Sequence, residues 1–199
     1  MKSRRTQSKP QHSFGATYRS LGSYLRESAP AIFFIFGLFV VAGLFGFFYA
    51  DHLTFLNDVL RELIEKTRGL SALELIAFIF ANNLQSSLSG LVFGVVLGIF
   101  PCITAVINGV VLGYVLAQAW AISGASDFWR IVPHGIFELP AVFISLGLGV
   151  RLGTAWFVPR GKWEEFIRRA KYSALVFFGV VVPLLIIAAV IEGLLIAFM

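Results

Sequence analysis

Long runs of apolar residues, separated by short polar and basic segments, dominate this chain of 199 residues. A helix of about 20 residues crosses the hydrocarbon core of a bilayer, and five of the runs reach that length. We place these spans at about 31–50, 75–98, 103–122, 134–158 and 173–197. The sequence therefore predicts an all-α fold, a polytopic membrane bundle with about five transmembrane helices.

Prolines suggest where the spans begin and end. The stretch from Ala72 to Ile122 carries Glu74 as its one charged residue and is long enough for two spans. Pro101 lies near its middle and marks an expected hairpin at about 98–104, because proline interrupts helices. Pro30 marks the start of the first span. We therefore divide the chain into a cytoplasmic basic tail, 1–29, and a single transmembrane domain, 30–199.

Three polar segments have apolar residues at helical spacing. They lie within 1–29, where Phe14, Tyr18, Leu21 and Leu25 recur, within 51–72, and within 159–172. Charged residues occupy the other sides of each segment. Such segments lie in the plane of the membrane surface, so we expect short interfacial amphipathic helices there.

Composition and charge agree with a membrane protein. Apolar residues make up 58% of the chain, charged residues only 14%, and the mean hydropathy is +0.84. The net charge of +5 arises beside the apolar runs, with six Lys or Arg in 1–29 and five in 159–172. Basic loops remain in the cytoplasm, so we expect a cell-membrane protein with a cytoplasmic N-terminus and an outside C-terminus. This charge pattern does not indicate a nucleic-acid partner.

Polar side chains inside the predicted spans are candidates for function, because unpaired polar groups are costly in hydrocarbon. Most of them fall in the outer half of the bundle, and we expect that set to converge on a shared interior site. A further amide lies in the inner half of the third span. The outer set is Asn82, Asn83, Gln85, His134, Glu138 and Glu192, and the inner amide is Asn108.

The densest local signal is Pro133-His134-Gly135, followed by Glu138 and Pro140. His134 and Glu138 are four residues apart and share a helix face, so they can pair with each other or bind one ligand together. Mutual pairing would fix the fourth helix in the bundle. The chain has no H-E-x-x-H motif, and two ligands are fewer than a catalytic zinc requires. We therefore predict no catalytic residue, no metal and no cofactor.

Glycines recur with a spacing of four residues in three of the spans. Small residues at this spacing let helix backbones approach closely in lipid, either within one chain or across a dimer. These helix-packing glycines are Gly90, Gly94 and Gly98, then Gly109 and Gly113, then Gly149 and Gly153.

Together these motifs resemble the stage II sporulation protein M family of integral membrane proteins. The resemblance runs from about residue 72 to residue 155, through Asn82-Asn83, the glycine pattern, Asn108-Gly109 and the Pro133–Ala141 motif. It implies a membrane anchor or scaffold. In endospore-forming bacteria, the family's named member works in the septal and engulfing membrane with a lytic transglycosylase and an amidase-endopeptidase that remodel peptidoglycan.

Two functions from different classes follow from these observations, beside a third, an intramembrane enzyme that would use His134 and Glu138. The first is a non-enzymatic scaffold whose partners are membrane lipids and other membrane or cell-envelope proteins, with a homo-oligomer as one form of assembly. The alternative is a transporter or channel that uses the intramembrane His, Glu and Asn side chains. Prolines in the predicted spans would supply the broken helices that transporters require.

Overall fold

The described part of the chain folds into helices, and no strand is found there, in a computed structural model. The structure describes the backbone of residues 14–124 and 128–198 and the side chains of 21–122, 124 and 135–196. Its helices are α1 (Phe14–Phe48), α2 (Leu56–Thr67), α3 (Ala72–Phe93), α4 (Ile99–Ser123), α5 (Phe128–Gly153), α6 (Lys162–Val176) and α7 (Val182–Phe198).

Five helices of the described chain are long and apolar enough to cross a membrane: α1, α3, α4, α5 and the continuous helix formed by α6 and α7. This confirms the predicted all-α polytopic fold. Helix α5 is central and contacts α1, α3, α4 and α7, while α1 pairs with α4 and α3 pairs with α7. Two apolar clusters flank α5, one around Ile35, Phe39 and Leu146 and one around Leu148, Phe177 and Leu185.

The outside of the bundle is apolar as well. Phe33 and Val41 of α1, Ile107 of α4 and Phe178 between α6 and α7 are all more than half exposed. Contiguous apolar surface of this kind is unfavourable in water and suits lipid chains. The molecule is therefore a multi-pass membrane protein.

Helix α1 continues across Pro30, where the sequence predicts a boundary between a surface helix and the first span. Proline removes one hydrogen bond of a helix interior. The bond lost here is the one to the Arg26 carbonyl, while Tyr24 and Ser28 in the preceding turns are buried against other helices. Packing of α1 against other helices therefore keeps it helical across Pro30. Residues 1–13 and the side chains of Phe14 and Tyr18 lie outside the described part.

The predicted surface segment 159–172 also differs from the structure. Most of it forms α6, which runs through a π-helical segment, Phe177–Val181, directly into α7. Pro183 is the second residue of α7. A proline ring crowds the preceding helical turn, and the wider π-helical turn accommodates it.

The hairpin between α3 and α4 occupies residues 94–98, earlier than the predicted 98–104. Leu97 and Gly98 both have positive φ angles, 54° and 71°, which reverse the chain direction. Pro101 is the third residue of α4. Backbone N–H groups of the first helical turn have no partner within the helix, so a proline costs little there.

The bundle has two ends, which we name after the helices that lie there. The α2 end holds α2, the start of α3 and the C-terminal part of α7, whose Ile196 lines a groove with α2. The α6 end holds the first half of α1, the α3–α4 hairpin, the end of α5 and the start of α6. The charge pattern predicts the α2 end outside and the α6 end in the cytoplasm.

Candidate functional site

A capping box fixes where α3 begins and hence how far along the helix its amides lie. The Ser71 hydroxyl accepts the Glu74 N–H, and the Glu74 carboxylate accepts the Ser71 N–H at 2.8 Å. With the helix at Ala72–Phe93, Asn82 lies ten residues from its start and eleven from its end. The amides therefore lie near the middle of α3.

The amides of α3 point in different directions. Asn83 is half-buried, whereas Asn82 and Gln85 are exposed on the outside of the bundle. The Asn82 amide donates to Asn83 Oδ1 at a long 3.5 Å. Within the described chain, the Gln85 amide makes no hydrogen bond. The expectation that the outer polar set converges on one interior site is therefore wrong for Asn82 and Gln85.

The two intramembrane carboxylates lie on other helices. Glu138 on α5 and Glu192 on α7 are both half-buried, and each has an interaction partner. Asn108 is half-buried on α4. The side chains of Pro133 and His134 lie outside the described residues, so the His134–Glu138 pair remains a prediction.

The rest of the Pro133–Ala141 motif is helical. Gly135 is half-buried and Pro140 is exposed, both within α5. Among the described residues, no three His, Cys, Asp or Glu side chains come together in a way that could hold a metal ion.

The first glycine row joins α3 and its hairpin to α5. A Cβ atom at Gly90 would overlap the Leu146 side chain, and one at Gly94 would overlap the backbone of Gly149. Gly153 lies against Gly98 and Gly94 just as closely. These glycines let the two helices approach until their backbones touch.

The second glycine row joins α4 to α1. A Cβ atom at Gly113 would overlap the Gly43 carbonyl, and Gly109 lies against the Phe39 carbonyl. Gly46 contacts the Val110 backbone from the other helix. In the structure, therefore, the glycine rows form contacts within one chain. The α1 glycines are spaced irregularly, so the four-residue pattern does not reveal them.

A charged cluster at the α6 end was not predicted from the sequence. Arg151 of α5 donates to the Glu27 carboxylate and to Ser28 Oγ of α1, and its guanidinium lies 4.7 Å from the centre of the Tyr24 ring. Arg168 of α6 reaches the same carboxylate at 3.5 Å. Three helices meet at Glu27. Arg151 lies toward the end of the predicted span 134–158, and nothing in the local sequence indicates its partner Glu27.

Helix α6 also caps the end of α5. Arg169 donates to the backbone carbonyl of Arg151 and to Thr154 Oγ1, while Glu165 accepts from Arg169 at 2.6 Å. The last carbonyl groups of a helix have no partner within it and attract cations. Next to this cap, the Tyr24 hydroxyl and Ser173 Oγ are 2.9 Å apart.

Helix α2 stands largely apart from the bundle. Leu56 at its start is buried, and the Tyr114 hydroxyl of α4 donates to Asn57 Oδ1 at 2.8 Å. Over the rest of its length, α2 has few contacts with other described helices. A groove separates it from the end of α7, lined by Arg61, Ile64, Glu65, Thr67, Arg68 and Ile196.

The two faces of α2 differ in chemistry. Phe55, Val59 and Leu63 share one side and are exposed. The opposite side carries exposed charges of both signs, at Asp58, Arg61 and Glu65, whereas Glu62 and Lys66 lie next to Val59, three and seven residues further along the helix. A helix with such faces lies in a membrane surface with its apolar side toward the lipid chains.

A family model described as Stage II sporulation protein M matches residues 32–195, which is most of the chain. The match covers all five candidate spans at least in part. No curated protein and no solved structure matches the chain.

Proposed function

Because this chain belongs to the stage II sporulation protein M family, we propose that it is a non-enzymatic scaffold that holds partner proteins at the membrane. The observation that carries the proposal is α2, an amphipathic helix attached to the bundle at its start and otherwise free. With its apolar side in the lipid surface, α2 presents its charged side to the aqueous phase. The charge pattern favours an outside location for that side.

The charged side of α2 is suited to recognising a protein. It carries both acidic and basic groups, and arrangements of both signs give selectivity between protein partners. Lys66 lies 2.7 Å from Glu62, and this hydrogen bond holds the pKa of the Glu62 carboxyl below its usual range. The Glu62 carboxyl is therefore charged at neutral pH. We infer that the partner is a cell-envelope protein with complementary charges, as the family resemblance implies.

Transport is the alternative, and Glu138 and Glu192 favour it. Both are half-buried ionisable groups in spanning helices, and such groups often mark transport pathways. The outward position of Asn82 and Gln85 counts against a shared polar pathway inside the bundle. The scaffold proposal therefore agrees better with the positions of these side chains than transport does.

Purification from native membranes in mild detergent tests the scaffold. We expect a stoichiometric envelope protein to co-purify with the wild type. Reversing one charge on α2, Glu65→Lys, should reduce its recovery at least fivefold, because a like charge opposes the partner. The matched control is Glu164→Lys, a reversal at an exposed residue of α6 at the opposite end. This control should retain the partner.

The scaffold proposal fails if the wild type emerges without a stoichiometric partner. Equal loss in both variants would remove the role assigned to α2. Solute flux into liposomes that contain the purified protein would indicate a transporter instead, if Glu138→Gln abolishes that flux.

A further inference from the structure

The outward face of α3 carries groups that lipid chains cannot satisfy. Gln85 is exposed near the middle of this spanning helix, and Asn82 lies beside it, one turn toward the α2 end. A primary amide has two donors and an acceptor, and hydrocarbon offers partners for none of them. Exposed residues at comparable depth on other helices, such as Val41 of α1 and Ile107 of α4, are large and apolar.

Gln85 lies in a row of small residues, and the larger Leu88 and Val92 lie beside that row on the same outward face. Ala77, Ala81, Gln85 and Ser89 follow one another at intervals of four, so they form one ridge along α3. Ala77 and Ala81 are exposed and Ser89 is half-buried. Small residues at this spacing allow another helix backbone to approach closely in lipid. The opposite face of α3 already packs on α5 through Gly90 and Gly94.

We propose that the α3 helices of two copies of this chain bind each other through a twofold contact centred on Gln85. Amides are self-complementary, because each group can donate to and accept from its own copy. A twofold axis brings the central residue of a face close to the same residue of the partner. The alanines provide the close approach, and the two Gln85 amides provide the hydrogen bonds. The dimer would display two α2 helices.

Disulfide trapping of the purified protein in liposomes tests this contact. Cys102 is the one cysteine of the chain and donates to the Gly98 carbonyl, a bond that serine can keep. In a Cys102→Ser background, we would compare Ala81→Cys on the α3 ridge with Val41→Cys on the lipid-facing side of α1. Oxidation should trap at least fivefold more dimer for Ala81→Cys, even when lipid is in large excess.

Adding Gln85→Leu then tests the amide itself. Replacing the amide should weaken the association roughly three- to tenfold, the range measured for interhelical hydrogen bonds in membranes. The measurement is the dimer fraction against the protein-to-lipid ratio. Gln85→Asn should restore part of the association, because it keeps an amide at the same position.

Three results would overturn the proposal. The first is trapping at Ala81→Cys that is no greater than at Val41→Cys. The second is dimer formation that is unchanged by Gln85→Leu. The third is a combination of two observations: the protein is a monomer in liposomes, and its Ala81→Cys variant cross-links to a different protein in native membranes. None of these results bears on α2, whose charge-reversal test is separate, so the scaffold proposal would stand or fall independently.

Discussion

The two ends of the bundle are joined in different ways. At the α6 end, Glu27 of α1 receives Arg151 of α5 and Arg168 of α6, and Arg169 caps the end of α5. At the α2 end, within the described residues, α2 is attached through Leu56 and the hydrogen bond from Tyr114 to Asn57. Spanning helices pack closely at both ends, as Gly193 of α7 does against Ile76 of α3 at the α2 end. The α6 end adds interlocked charges, whereas the α2 end carries a helix attached at its start.

This difference indicates where the molecule opens most easily. Segments with few buried contacts open locally, at less cost than global unfolding. The α6 end therefore behaves as the rigid base of the bundle, and α2 as an adaptable element above it. A helix of this kind can adjust to a partner without disturbing the spanning helices.

The largest effect should come from crowding the hairpin at the α6 end. A Cβ atom at Gly153 would overlap Gly98 N and the Gly94 carbonyl, both of which are backbone atoms. We expect Gly153→Ala to lower the free energy of unfolding by about 3 kcal/mol, at the upper end of overpacking effects. Thermal unfolding in detergent would measure it. Gly37→Ala, with no atom within 4 Å of the added Cβ, is the control and should cause no loss.

A smaller effect should follow when the charged cluster loses its central cation. The Arg151 side chain is 11% exposed and Glu27 is 45% exposed, so solvent weakens this pair compared with a fully buried one. We expect Arg151→Met to cost about 2 kcal/mol, below the range for fully buried pairs. Arg168→Met, which removes a more exposed partner of Glu27, should cost less than about 1 kcal/mol. Equal costs would contradict the central role of Arg151.

The sequence is sufficient to predict the five spans, because hydropathy depends on composition over about 20 residues. It is insufficient for the ends of the helices. Pro30 and Pro101 both read as boundaries, yet one lies inside α1 and the other in the first turn of α4. Tertiary packing decides whether a proline interrupts a helix, and packing is not visible in local sequence.

The candidate site illustrates the same limit. Periodicity shows that Asn82 and Gln85 share a side of α3, but it does not tell which side faces the bundle. That depends on where the glycine row of α3 meets α5, at Gly94 and Gly149. The charged cluster is harder still to predict, because Glu27 and Arg151 are more than a hundred residues apart in sequence.

The smallest effect should be at the α2 end and should be local. Tyr114→Phe removes the hydroxyl that binds Asn57, and Asn57 is exposed, so water can replace the lost partner. We expect a loss of about 1 kcal/mol or less in the free energy of unfolding, as for a single hydrogen bond. Amide hydrogen exchange within α2 should nevertheless accelerate, because the attachment at its start is weaker. Tyr49→Phe, at an exposed ring near the end of α1, is the control. Unchanged exchange in α2 after Tyr114→Phe would mean that Leu56 and the lipid surface hold the helix, and that the two ends differ less than their hydrogen bonds indicate.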